Sequence, residues 1–240
     1  MSVLSDKLRA ARCPKAAGVV VAAGSGTRFG GDKLRSELCG MPVLIHSLMA
    51  FQKAERISEI VLVTRPDAVE ETAAICRGYG IEKLTVAVPG GKTRAESSFA
   101  GVMAVSDGAG VIAIHDGARP LVTPTLIDAV VWDAYRHGAA APAIPVRDTV
   151  KLASNHIVLS TPDRSSLFAM QTPQCFQRDV IRGAFQEAVR LGRELTDDCM
   201  AVECIGGQVW LTDGCEENIK ITTPLDLALA ELILQRRQSE

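Results

Sequence analysis

The chain has 240 residues, 47% of them hydrophobic and 22% charged, with a formal net charge of −2. That length and balance suit one core-forming unit and leave no basic footprint for nucleic acid. The longest apolar runs, such as residues 19–23, are far too short to span a bilayer, and residues 1–15 lack the uninterrupted apolar core of a secretory leader. We therefore read a cytoplasmic protein with neither a nucleic-acid nor a membrane partner. Seven cysteines at 13, 39, 76, 175, 199, 204 and 215 contain no C-x-x-C pair, a pattern of reduced thiols and not of a disulfide framework or a zinc site. Residues 1–16 read as an N-terminal extension, 17–236 as the folded unit and 237–240 as a tail.

In chain order, residues 18–23 form an apolar run that predicts a buried parallel strand. It breaks into Gly24, Ser25 and Gly26, where missing Cβ atoms let backbone N–H groups approach an anion, and Arg28 and Lys33 follow on the same loop. Strands are then predicted at 60–64, 84–88, 111–114 and 139–144, and helices at 42–53, 66–79, 94–105 and 124–137. In the last helix Leu126, Ile127, Val130, Val131 and Ala134 share a face, with Thr123 placed to cap it and Pro124 at its first position. Strands alternating with helices imply right-handed βαβ units: an α/β domain with a mostly parallel twisted sheet between helices.

Residues 147–164 break this rhythm. Short alternating segments at 149–152 and 157–159 flank Ala-Ser-Asn-His, which reads as a β-hairpin arm projecting from the sheet, its turn near Ser154-Asn155. An arm of this length in a compact unit points to contact with another subunit. Regular packing resumes with a helix at 180–191, a strand at 209–212 and a terminal helix at 224–236.

The glycine loop is neither of the two commonest phosphate loops. Phe29 occupies the third glycine position of a dinucleotide fingerprint, and Leu34 follows Lys33 where a P-loop needs Ser or Thr. Further polar segments fall after predicted strands, where an open α/β sheet binds its ligands. They are Gly90-Gly91-Lys92-Thr93-Arg94-Ala95-Glu96-Ser97, His115-Asp116-Gly117-Ala118-Arg119-Pro120, Asp148-Thr149-Val150-Lys151, Asp163-Arg164, Gln171-Thr172-Pro173-Gln174 and Asn218-Ile219-Lys220-Ile221-Thr222. Asn218, Thr222 and Thr223 around Lys220 read as an anion-binding corner. His115, between an apolar strand and Asp116, reads as a structural histidine.

Taken together and in this order, the segments resemble the 2-C-methyl-D-erythritol 4-phosphate cytidylyltransferase family, over about residues 17–234. The resemblance implies a single Rossmann-like nucleotidyltransferase domain and transfer of CMP from CTP to methylerythritol 4-phosphate in non-mevalonate isoprenoid synthesis. It implies catalytic roles for Arg28, Lys33, Arg164 and Lys220. It implies CTP contacts from Ala22, Ala23, Gly24, Ser25, Gly26, Gly91, Arg94, Ser97, Gly117 and Ala118. Asp116, Arg119, Thr149, Arg164, Thr172 and Lys220 would meet the polyol phosphate, Asp116 would also touch Mg²⁺ or its waters, and a homodimer would exchange its arms. The substrate's own phosphate is the nucleophile in such a reaction, so cations and aimed N–H donors suffice. A cytidylyltransferase for another polyol phosphate, such as ribitol 5-phosphate, would share most of these segments, and a non-catalytic nucleotide-binding relative is a further alternative. The chain departs from the family in carrying Asp32-Lys33-Leu34 where Pro-Lys-Gln is usual, on a shortened loop, and in Arg35, a cation without an assigned role.

Overall fold

The first apolar run becomes β1 (Ala16–Val21), buried on both faces from Ala16 to Val20. The computed structural model describes residues 14–24 and 29–239; the extension over 1–13 and the loop residues Ser25, Gly26 and Arg28 lie outside the described residues. Alternation along β1 divides the core. Ala16 and Val20 join one cluster with Leu48 and Phe51, while Ala17 and Val19 join a second with Val102 and Phe185.

Three strands extend β1 on either side in parallel register: β4 (Ile57–Thr64), β5 (Leu84–Pro89) and β6 (Val111–Asp116). Beyond β6 the sheet is mixed. β7 (Ala139–Pro145) is paired in parallel with β12 (Trp210–Asp213), whereas β10 (Phe168–Met170) and β11 (Gln174–Gln177) both run antiparallel along β7. β11 also inserts antiparallel against β6. A two-strand hairpin, β2 (Glu37–Leu38) with β3 (Met41–Pro42), lies off the sheet.

Helices cover both faces. α1 (Val43–Lys53), α4 (Pro124–His137) and α7 (Pro224–Ser239) pack on one core cluster. α3 (Arg94–Ala104), α5 (Arg178–Arg190) and the short α6 (Cys199–Cys204) pack on the other. The cap predicted for α4 is present: Thr123 Oγ1 accepts from Leu126 N at 3.2 Å, and the helix ends at Gly138 with φ 91°. The helix expected over 66–79 is instead a 3₁₀ turn, Pro66–Ala68, followed by α2 (Val69–Gly78).

The arm is a hairpin, but its strands are displaced from the expected ones. β8 (Leu152–Ser154) and β9 (Ile157–Ser160) pair around Asn155 and His156, both at positive φ, so Thr149 to Lys151 precede the first strand. Consecutive left-handed residues are the geometry of a tight hairpin turn, which Asn tolerates well. Every residue of both strands is exposed, including Leu152, Ile157, Val158 and Leu159.

Candidate active site

The carboxyl ends of β1, β5 and β6 open onto one cleft of about 390 Å³. From the first loop come Ala22, Ala23, Gly24 and Lys33; from the second, Gly91, Arg94 and Ser97; from the third, Asp116 and Ala118; and Lys220 closes the far side.

The second loop shows why its glycines are needed. A Cβ on Gly90 would lie 2.3 Å from the Ala23 Cβ, and one on Gly91 would lie 2.3 Å from the Glu96 Cβ. With the backbone so close, Gly91 N donates to Ser97 Oγ at 3.1 Å, and Ser97 Oγ donates to Thr93 O at 2.9 Å. Lys92 N donates to Glu96 Oε2 at 2.7 Å, while Thr93 Oγ1 caps α3 by accepting from Glu96 N at 3.1 Å. The loop is thus fixed before any ligand arrives, with Ser97 both lining the cleft and organising the turn.

Asp116 sits at the end of β6 with its side chain 10% exposed. Its Oδ1 accepts from Arg94 Nε at 3.0 Å, and its Oδ2 lies 2.6 Å from Lys220 Nζ. Burial alone would raise the Asp116 pKa, but the Arg94 guanidinium, then the Lys220 ammonium and Arg119, outweigh it and hold the carboxyl well below the usual carboxylate range. Asp116 is therefore ionised at any pH where the protein works. Lys33 Nζ donates to Ile221 O at 3.1 Å, which brings a second ammonium to the wall that carries Lys220.

Behind Asp116 runs a second layer. Asp116 N donates to Thr172 Oγ1 at 3.1 Å, which leaves the Thr172 hydroxyl to donate to His115 Nδ1 at 3.0 Å. His115 Nε2 then carries the proton and donates to Arg119 O at 3.2 Å. Burial pushes the His115 pKa down to about 4, consistent with this neutral tautomer and with a structural role. Arg119 Nη1 donates to Asn218 O at 2.6 Å, and Ile221 N donates to Ala118 O at 2.8 Å. These bonds stitch the β6 loop to the segment bearing Lys220. Thr172 and Arg119 thus support Asp116 and Lys220 through these bonds. Gly117 likewise lies behind the cleft wall, where its carbonyl accepts from Ser47 Oγ at 3.0 Å.

The anion-binding corner around Lys220 is not formed as read from the sequence. Asn218 is buried and its Nδ2 donates to Thr172 O at 2.9 Å. Thr222 and Thr223 both direct their backbone N–H and hydroxyl groups to Asp226 Oδ2, at 2.7 to 3.0 Å, and so secure the start of α7. Capping a helix start outcompetes a free anion site when the carboxylate is only three or four residues ahead.

Asp198 escaped the sequence reading. It is buried and its Oδ2 accepts from Arg94 Nη2 at 2.8 Å. Gln174 Oε1 holds the Asp198 and Cys199 N–H groups at 2.8 and 3.0 Å, so the Gln-Thr-Pro-Gln segment serves the turn that presents Asp198. Two adjacent aspartates at 197 and 198 look like ordinary surface charge in sequence. Arg35, unassigned before, forms a bidentate pair with Glu71 on α2 (Nη1 to Oε1, 2.9 Å), and Asp32 lies 3.5 Å from both Arg35 and Arg65.

Thr149 and Arg164 are not brought to the cleft within one chain. Both are exposed on the arm segment, and Arg164 Nη1 donates to Arg147 O at 2.8 Å in an open hollow at the arm's base beside Pro145 and Phe168. As to metal, among the described residues no group of three or more His, Cys, Asp or Glu is arranged to hold one, and Asp116 is the one carboxylate of those that line the cleft. That donor set does not fit a caged resident ion. It fits Mg²⁺ carried in by phosphates, which keeps most of its waters.

A glycine-built cleft at the carboxyl ends of parallel strands, lined by ammonium and guanidinium groups, is the arrangement of an α/β nucleotidyltransferase fold. Comparison with known proteins specifies the family. The model of the family described as 2-C-methyl-D-erythritol 4-phosphate cytidylyltransferase matches residues 16–236. A relative of that name from Rubrobacter xylanophilus is 46% identical over 226 residues, covering 93% of this chain and 96% of the relative. Another from Clostridium botulinum is 40% identical over 221 residues, covering 91% and 96%. The crystal structure of 4-diphosphocytidyl-2C-methyl-D-erythritol synthase from Anaerococcus prevotii superposes with a TM-score of 0.82 at 29% identity, covering 92% of this chain and 99% of that one. The chain belongs to the 2-C-methyl-D-erythritol 4-phosphate cytidylyltransferase family.

Proposed function

We propose that the protein transfers CMP from CTP to 2-C-methyl-D-erythritol 4-phosphate in isoprenoid biosynthesis. One observation carries this reading: Lys33, Arg94, Asp116 and Lys220 converge on the glycine-built cleft in a chain that the family model matches over residues 16–236. A phosphate oxygen of the acceptor forms a bond to the α-phosphorus of CTP as the bond to the bridging oxygen breaks, and pyrophosphate leaves with that electron pair. The acceptor phosphate is anionic near neutral pH, so no enzymic base is needed. Lys33 is assigned to the α-phosphate together with Arg28, where charge accumulates in the transition state. Ala22 to Gly26, Gly91 and Ser97 surround the nucleotide, with Ala118 alongside. Lys220 holds the acceptor phosphate, and Arg164 supplies a planar fork for two of its oxygens. Mg²⁺, when bound, would neutralise triphosphate charge, and Asp116 is the residue that would hold it or its waters.

The same reading makes residues 17–236 the catalytic unit and the arm at 147–164 a dimer element that delivers Arg164 and Thr149 to the partner's cleft. Among the described residues no helix is long and apolar enough to cross a membrane, and the six described cysteines are free, in keeping with a cytoplasmic enzyme. The test is pyrophosphate release with CTP paired in turn with methylerythritol phosphate and ribitol 5-phosphate, and with ATP, GTP and UTP replacing CTP. We expect methylerythritol phosphate and CTP to be preferred, with UTP the next-best nucleotide. Equal turnover of both acceptors, or of all four triphosphates, overturns the assignment.

A further inference from the structure

Arg94 links two acidic groups that the sequence keeps far apart. Its Nε donates to Asp116 Oδ1 at 3.0 Å and its Nη2 donates to Asp198 Oδ2 at 2.8 Å. With Lys220 Nζ 2.6 Å from Asp116 Oδ2, the four side chains form a row of alternating charge, Asp198, Arg94, Asp116, Lys220, that leads from the core to the cleft. Its two ends differ sharply in exposure, and within it the carboxylates are more buried than the cations. The Asp198 side chain is 1% exposed, those of Arg94 and Lys220 are 28% and 36%, and Asp116 between the two cations is 10%.

A buried ion pair gives up hydration that its attraction rarely exceeds, so stability is a poor reason for Asp198 to be charged. Placement is a better one. A guanidinium is planar, and two carboxylates on different edges of it leave no rotation free. Asp198 itself is anchored, because its N–H is held by Gln174 Oε1 at 2.8 Å. We infer that Asp198 is a positioning residue: it pins Arg94 against Asp116, so that Arg94 orients that carboxylate and Lys220 instead of swinging out to pair with a triphosphate. This rests on the reading that the cleft binds CTP for cytidylyl transfer.

The inference has a kinetic signature that plain structural damage lacks. Asp198→Asn removes a negative charge from behind the cleft and frees one edge of Arg94 to reach the triphosphate. Ground-state binding of CTP is then kept or strengthened while the reacting groups lose their placement. We expect kcat to fall roughly 10- to 100-fold, the scale of a small misplacement near the chemistry, with KM for CTP unchanged or lower.

Two further measurements separate the alternatives. Arg94→Ala strands the buried Asp198 charge, so it should lower both activity and Tm, and adding Asp198→Asn to it should restore Tm without restoring kcat. Independently of turnover, the Arg94 Nε–H resonance in ¹⁵N-labelled protein should exchange slowly with solvent, and quickly once Asp198 is Asn. Overturning results are a raised KM with unchanged kcat in Asp198→Asn, recovery of kcat together with Tm in the double variant, or an exchange rate that Asp198→Asn does not alter. A wild-type protein that releases no pyrophosphate would sink the proposed reaction, and the exchange measurement would still decide whether Asp198 holds Arg94.

Discussion

Lys33 and Lys220 come from opposite ends of the chain, yet Lys33 Nζ reaches the carbonyl of Ile221, the residue after Lys220. That proximity makes Lys33 a group whose loss is felt in turnover before it is felt in folding. Lys33→Ala should lower kcat by about 10²–10³, as removal of one aimed transition-state donor does, with little change in Tm. Steady-state kinetics alongside thermal unfolding checks this, and turnover within a few-fold of wild type would pass the role to another cation. At this scale the sequence revealed identity better than partnership. Lys33, Asp116 and Lys220 were legible because each follows a recognisable strand or motif. Asp198 was not, because its partner Arg94 lies 104 residues away and nothing local marks a carboxylate as buried. Thr172 and Arg119 were picked out by their motifs, but spacing could not reveal that they also brace Asp116 and Lys220.

At the level of elements, the segment bearing Lys33 is tied to α2. Arg35 grips Glu71 with both nitrogens of its fork, and Asp32 bridges Arg35 and Arg65. Both partners of the Arg35–Glu71 pair are largely exposed, with side chains 41% and 58% accessible, so the pair adds little to global stability. Its effect is local, holding one wall of the cleft in register. We expect Glu71→Ala to lower kcat about two- to fivefold, in line with the fraction of a kcal/mol that an exposed pair contributes, with Tm scarcely moved. The charge-swapped double variant Arg35→Glu, Glu71→Arg should recover most of that loss, and no recovery in kinetic assays would leave the pair incidental. The parallel half of the sheet was readable because β1, β4 and β6 are buried on both faces and so appear as apolar runs. β10 and β11 escaped notice because they are short, three and four residues, and Gln174 at the start of β11 was read within a polar segment. α6, only six residues long, offers too little periodicity to register.

For the whole molecule, the decisive fact is where the arm leaves its cargo. Arg164 and Thr149 lie outside the cleft formed by their own chain, while β8 and β9 present Leu152, Ile157, Val158 and Leu159 to solvent at 56% to 68% exposure. An isolated two-stranded hairpin is at best marginally stable in water, so these apolar residues need a surface to cover them. On the shared-site arrangement proposed above, a second copy related by a two-fold axis would supply one, and by symmetry each arm would then reach the other subunit's site. Lys33→Ala and Arg164→Ala should each be inactive alone, since each damages every site of its own homodimer. Mixed under conditions that allow subunits to exchange, they form hybrids in which one site has lost both residues and the other keeps both. With equal amounts and random pairing, half the dimers are hybrids, so about a quarter of all sites become intact and roughly that fraction of wild-type turnover should return. Subunit exchange is verified separately, by mass spectrometry of isotope-labelled protein. If hybrids form and no activity returns, Arg164 serves the cleft of its own chain and the shared-site arrangement is wrong.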